Sequence, residues 1–173
     1  MKVTEELNHS ISKLSGKTII ITGAGGMLGL AFKNLISEHI DCNLLALTHQ
    51  DLDITDSNSV MKLVEKNPDL IIHCAAKVDA NFCEDNVNFS YENIVNGTKN
   101  IINLAKETGA KFFYPQSFLI FDGLLNPVDE NTLPNPLSVY GKHKFQAEKE
   151  IIENLPNALV VRMGGFFGGY EKD

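Results

Sequence analysis

With 173 residues, 43% of them hydrophobic and 21% charged, the chain has the size and composition of one globular domain with a real core. A formal charge of -7, with 15 Lys and Arg scattered rather than gathered into a stripe, argues against a general nucleic-acid binder. Cys42, Cys74 and Cys83 are odd in number and lack metal-type spacing, and two of them sit in or beside apolar runs, so buried thiols there and a reducing compartment are expected and no metal site is. No stretch is long enough to span a membrane and no basic start leads into an apolar core, which makes the cytoplasm the expected address.

Residues 1–16 are polar, with Leu7, Ile11 and Leu14 at helical spacing, and read as a leader or short amphipathic helix before a domain over 17–173. An apolar, β-branched run over 17–22 then breaks into glycines and resumes as an apolar helix pattern: strand, tight turn, helix. Gly23, Gly26 and Gly29 are spaced G-x-x-G-x-x-G. That spacing lets the backbone turn sharply, admit a pyrophosphate and pack helix on strand, although glycines also end strands for structural reasons alone. Leu28, Ala31, Phe32, Leu35 and Ile36 continue a helical stripe to about His39, and 44–48 predicts a second strand.

A polar turn over 51–56 follows, and Asp56 or Ser57 can cap a helix carrying Val60, Leu63 and Val64, which Pro68 and Asp69 end. The pattern then predicts a strand over 70–74, a loop over 75–87, and a long helix over about 90–108 stopped by Gly109. A strand over 111–116, an irregular stretch over 118–137 punctuated by Pro127, Pro134 and Pro136, a helix over 139–153 and a strand over 158–163 complete the order. Strands alternating with helices predict an α/β fold: a Rossmann-type, doubly wound parallel sheet with helices on both faces.

In such sheets ligands bind just beyond the strands' carboxyl ends. Three places supply polar groups there: the glycine turn, Gln116-Ser117-Phe118 after the fourth strand, and Tyr140-Gly-Lys-His-Lys144 at the head of the last helix. Tyr140 and Lys144 are four residues apart and project from one helical face, so an ammonium at Lys144 favours the phenolate and lowers the Tyr140 pKa toward neutrality. The same pair also occurs in ordinary surface helices, and a Ser at a strand end can simply cap it.

The ordered set of the glycine turn, Asp51 to Asp56, Pro68 to Ala76, Gly97-Thr98, Phe121-Asp-Gly123, Glu130 to Pro136, Tyr140 with Lys144, Glu148 and Arg162 resembles the extended short-chain dehydrogenase/reductases. Within them it is most similar to dTDP-4-dehydrorhamnose reductases, over about Lys17 to Gly168. The resemblance implies that Tyr140 protonates a sugar C4 carbonyl oxygen, that Lys144 binds the nicotinamide ribose and depresses the Tyr140 pKa, and that Ser117 hydrogen-bonds the same oxygen. It implies a cofactor site at Gly23, Gly25, Gly26, Met27, Leu28 and Gly29, with Thr48, Asp53 and Ile54 toward the adenine side. Cys74, Ala75 and Ala76 would lie beside the cofactor, together with Tyr140 and Lys144.

Departures accompany the likeness. Relatives carry Asn four residues before the Thr of the Gly-Thr pair, where this chain has Ile94; Asn93 is adjacent but would project elsewhere on an α-helix. Phe118 stands where close relatives carry Asp. Thr48-His49-Gln50 replaces a ribose-gripping carboxylate, with Asp51 slightly late and His49 able to meet a 2′-phosphate, so NADP(H) or NAD(H) is expected with NADP(H) favoured. Relatives continue well past the fifth strand, so the C-terminal substrate domain is largely absent and the chain reads as a fragment of a longer product. The implied function is reduction of a 4-keto nucleotide-sugar, with pairing of two copies through helices and no nucleic-acid or membrane partner. The alternatives are a nucleotide-sugar epimerase or dehydratase, or a non-catalytic binding subunit resembling the regulatory β subunit of methionine adenosyltransferase.

Overall fold

The computed structural model describes residues 12–124 and 127–165. The helical stripe through Leu7 and Ile11 and the end of the resemblance at Gly168 lie outside the described residues. In chain order the elements are β1 (Thr18–Thr22), α1 (Met27–His39), β2 (Asn43–Leu47), α2 (Ser57–Met61) and β3 (Leu70–His73). They continue with α3 (Ala80–Asp85), α4 (Val87–Tyr91), α5 (Gly97–Thr108), β4 (Lys111–Ser117), α6 (Val139–Asn154) and β5 (Leu159–Met163). The strands form one parallel sheet in the order β2-β1-β3-β4-β5, the expected Rossmann-type arrangement.

Both faces of this sheet are covered, which is why the central strands β1 and β3 carry unbroken apolar runs, Ile19 to Ile21 and Leu70 to Ile72, rather than alternating. On β1, Ile20 joins Val60, Ile71, Ile101, Leu104 and Ile151 in the larger core. Ile19 and Ile21 point the other way, into a smaller core with Ile36 and Ile72 beneath α1. Leu14, ahead of β1, packs against that second core.

Local chemistry sets the boundaries. Asp56 caps α2, accepting from Asn58 N at 3.0 Å and Ser59 Oγ at 2.5 Å. That helix tightens into a 3₁₀ segment, Lys62–Lys66, and ends at Asn67, whose φ of 45° reverses the chain before Pro68. Gly109 stops α5 with a φ of 68°.

Three stretches differ from the sequence expectation. The loop expected over 75–87 contains α3, nucleated by Asp79, whose carboxylate accepts from Phe82 N at 2.9 Å. The long helix expected from about residue 90 begins at Val87, and α4 passes into α5 through a π-helical turn, Glu92–Asn96, closed by Gly97 N donating to Glu92 O. The irregular stretch after β4 opens on a 3₁₀ turn, Phe118–Ile120, where the Ser117 hydroxyl accepts from Leu119 N at 3.2 Å.

Candidate cofactor and catalytic site

All five strands run the same way, so their carboxyl ends share one edge, and the connections diverge in opposite directions between β1 and β3. A crevice for a ligand opens at that divergence. Gly23 sits there with a φ of 69°, and a Cβ on it would lie 2.6 Å from Ala75 N, so only glycine permits the approach of the β1 and β3 exits. A Cβ on Gly29 would strike Gly23 O, which makes the third glycine a packing requirement between α1 and the turn. Gly25 is different: its nearest neighbour would be Thr48 Cγ2 at 3.6 Å, leaving the mouth between the turn and β2 open.

The start of α1 is suited to an anion. Gly26 supplies no capping side chain and the first turn holds no acidic residue, so the dipole and amide donors of Met27, Leu28 and Gly29 are neither neutralised nor opposed by a carboxylate. These features fit a dinucleotide pyrophosphate. At the end of β2, Asp51 folds back on Thr48, accepting from its amide at 2.9 Å and its hydroxyl at 2.7 Å, and these bonds hold its carboxyl below the usual range. The carboxylate that comes late in sequence is therefore brought back to the strand end. Asp53 is exposed and is bonded to Thr55, whereas Ile54 is buried and fills the space left by Gly97.

At the other end of the crevice, Ser117 closes β4 and Tyr140 opens α6. Ser138 caps that helix, accepting from Gly141 N at 3.0 Å, and Glu84 of α3 accepts from Val139 N at 2.6 Å. Gly141 lets α6 pack directly on Leu119 O. Together these contacts bring the Tyr140 phenol beside the Ser117 hydroxyl. Burial raises the Tyr140 pKa, and the Ser117 hydroxyl opposes that rise.

The expected lowering of the Tyr140 pKa is therefore corrected in direction, because desolvation outweighs the stabilisation of the phenolate. Lys144 is engaged elsewhere: Nζ donates to Pro115 O at 2.9 Å and stands 3.8 Å from the Tyr114 ring centroid. Burial pushes Lys144 down to about 7 against the opposing pull of Cys74 and Glu148, and pushes the Cys74 thiol up to about 12. Beneath it the Tyr114 hydroxyl is buried near Thr98 without completing a hydrogen bond, and burial drives its pKa far up.

A polar network that the sequence named without a role supports this end. Glu148 accepts from Arg162 Nη2 at 2.6 Å and from Gln116 Nε2 at 2.6 Å, and Gln116 Nε2 also donates to Lys144 O at 3.0 Å. Gln116 Oε1 accepts from Ser117 N at 2.8 Å, so the carboxylate reaches both strand end and helix. Arg162 Nη1 further donates to Glu130 O and Thr132 O at 3.4 Å each, pinning the proline-rich segment.

Two features were invisible in the sequence pattern. His73, fully buried at the end of β3, bonds Thr22 on one side and Thr98 on the other. Asn93, expected to project elsewhere, is turned inward by the π turn, and its Oδ1 accepts from Lys77 N at 2.8 Å. A one-residue change of helical phase leaves no compositional trace, so periodicity alone could not reveal it. Among the described residues no cluster of metal-ligating side chains occurs, and no helix is long and apolar enough to cross a membrane.

The sequence matches the family model described as the RmlD substrate binding domain over residues 17–173. The chain belongs to that family. This RmlD-family chain is 30% identical over 177 residues to the methionine adenosyltransferase 2 subunit beta of Bos taurus, covering 98% of this chain and 52% of that protein. It is 29% identical over 154 residues to dTDP-4-dehydrorhamnose reductase of Aggregatibacter actinomycetemcomitans, covering 88% and 52% respectively. Its fold superposes on a crystal structure of dTDP-4-dehydrorhamnose reductase from Bacillus anthracis in complex with NADP, with a TM-score of 0.84 at 29% identity, covering 91% of this chain and 57% of that one. The RmlD-family chain thus spans about half the length of the curated relatives it matches.

Proposed function

We propose that this RmlD-family chain is the cofactor-binding part of a short-chain dehydrogenase/reductase-type oxidoreductase that reduces a 4-keto nucleotide-sugar with NADP(H) or NAD(H). The observation that carries the reading is the meeting of Ser117 and Tyr140 at one end of the crevice whose other end is the glycine turn. When bound, the nicotinamide supplies hydride. Tyr140 keeps its proton at neutral pH because burial raises its pKa, which suits an acid that protonates the carbonyl oxygen. Ser117 directs a hydroxyl at the same oxygen, an electrostatic contribution. Lys144, near neutrality in pKa, holds the β4 exit through Pro115 and supplies a charge beneath the site. The domain is taken as 17–173, with 1–16 preceding it, and pairing of two copies through helices belongs to the same reading.

The test is oxidation of NADPH by the full-length protein with a dTDP-4-keto-6-deoxysugar. Tyr140→Phe should lower kcat by about 10²- to 10⁴-fold; equal rates overturn the assigned role. Turnover of the sugar without net NADPH consumption would instead indicate epimerase or dehydratase chemistry.

A second reading, a regulatory subunit, is favoured by one feature: Phe118 is 51% exposed beside Ser117, where the resemblance puts Asp in close reductases. Absence of NADPH turnover together with recovery of a stoichiometric partner enzyme would select it.

A further inference from the structure

Two lines of hydrogen bonds run from the π turn to the exit of β3. The direction of the first follows from counting protons. Thr98 Oγ1 donates its single proton to Ile94 O at 2.6 Å, so it must accept from His73 Nε2 at 3.1 Å. His73 therefore carries its proton on Nε2, and Nδ1 accepts from Thr22 Oγ1 at 2.7 Å. With its own proton committed, Thr22 Oγ1 accepts from Ala75 N at 3.3 Å. The chain from Ala75 N to Ile94 O is thus satisfied with a neutral imidazole, and Thr22, His73 and Thr98 are all fully buried. Burial pushes His73 down to about 3, with the charge of Lys144 acting in the same direction, so the ring stays neutral across the working range.

The second line is Asn93 Oδ1 accepting from Lys77 N at 2.8 Å. Asn93 precedes Thr98 by five residues, which on an α-helix sets their side chains about 140° apart. The i to i+5 closure from Gly97 N to Glu92 O brings such positions nearer one face instead, and Asn93 meets Lys77 N while Thr98 meets His73 Nε2. Ala75 is in turn the backbone against which Gly23 rests.

We propose that the π turn, Glu92–Asn96, is the anchor that positions the Ala75–Lys77 segment and, through Ala75, the glycine turn for the dinucleotide, with His73 and Asn93 as positioning residues. This rests on the cofactor reading given above. His73 is fully buried and Asn93 half-buried; each acts by fixing a backbone amide at the β3 exit, Ala75 N through Thr22 and Lys77 N directly.

The test is amide hydrogen exchange of the cofactor-free protein, followed by NMR, together with NADPH affinity read from nicotinamide fluorescence. Asn93→Ala should speed exchange at Lys77 by about tenfold, and Thr98→Val should do so at Ala75. Asn93→Asp and Thr98→Ser, which keep the acceptor and the hydroxyl, should restore protection. NADPH affinity should weaken about five- to tenfold in the first pair and recover in the second. Asn96→Ala, which removes an amide of the same turn bonded to Glu92, should leave both readouts unchanged. Half-buried Asn93 keeps the test open if Thr98→Val fails to fold. Unchanged Lys77 exchange in Asn93→Ala, or undiminished NADPH affinity in that variant, overturns the anchor. Failure of the wild-type protein to bind NADPH overturns the cofactor reading, and the exchange result distinguishes the two.

Discussion

Lys144 Nζ stands 3.8 Å from the centroid of the Tyr114 ring, with Pro115 O accepting its hydrogen bond at 2.9 Å. An ammonium there exchanges bulk water for one carbonyl and an aromatic face, so the folded chain holds this lysine at about 7. The unfolded chain holds it near 10.5, the ordinary value. Between about pH 7 and pH 10 the unfolded state binds the extra proton, and stability from this group rises with pH by on the order of 1 kcal/mol per unit. Below about pH 7 both states are protonated and the effect is constant. Urea unfolding at pH 7 and pH 9 should show this rise in wild type and its loss in Lys144→Met; parallel profiles would contradict the burial of the ammonium.

The glycine turn separates folding from binding. Gly29→Ala lies in a helix, where the exchange normally stabilises by about 1 kcal/mol, but its Cβ meets Gly23 O and the expected sign reverses. Gly23→Ala, at a φ of 69° and 2.6 Å from Ala75 N, should destabilise by about 2 kcal/mol or more. Gly25→Ala has room and should leave the melting temperature within a few degrees while weakening NADPH binding. Thermal melts with and without NADPH distinguish the three; a Gly29→Ala variant more stable than wild type would refute the packing role.

Glu148 and Arg162 form a pair at 2.6 Å in which the carboxylate is almost wholly buried and the guanidinium partly exposed. Removing only the arginine strands a buried charge, so Arg162→Leu should destabilise by about 3 kcal/mol. Glu148→Gln in the same background should recover part of that loss, because the stranded charge goes. Denaturant midpoints of the single and double variants give the coupling, and simple additivity would argue against a paired site.

Asp51 places a carboxylate at the end of β2 through its bonds to Thr48. A negative charge there repels a 2′-phosphate, so Asp51→Asn should shift the ratio of NADPH to NADH affinity toward NADPH by about five- to tenfold. Fluorescence titration with both dinucleotides measures it, and an unchanged ratio would place Asp51 outside the adenosine site.

Much of this site could be read along the chain because its signals are local. Gly23, Gly26 and Gly29 carry their own spacing, and Tyr140 and Lys144 share a face by helical geometry alone. Gln116 and Ser117 stand at the end of a strand that could be seen. Helix α3 was missed because Asp79 nucleates a helix too short for periodicity to register, and with it went the Glu84 bond to Val139 N. The direction of the Tyr140 shift was also out of reach, since desolvation depends on what packs around a phenol and not on its neighbours in sequence.

The sequence by itself determined the parallel sheet, the order of strands and helices, and the residue types at the turn and at the head of α6, because strand and helix periods and glycine spacing are short-range properties. Only the tertiary structure decided that Lys144 is buried against Tyr114, that Asp51 returns to Thr48, and that a π turn brings Asn93 and Ile94 O to bear on the β3 exit. Those outcomes depend on burial and on hydrogen bonds between residues far apart in the chain. Such bonds form only once the sheet has set the distance between their partners.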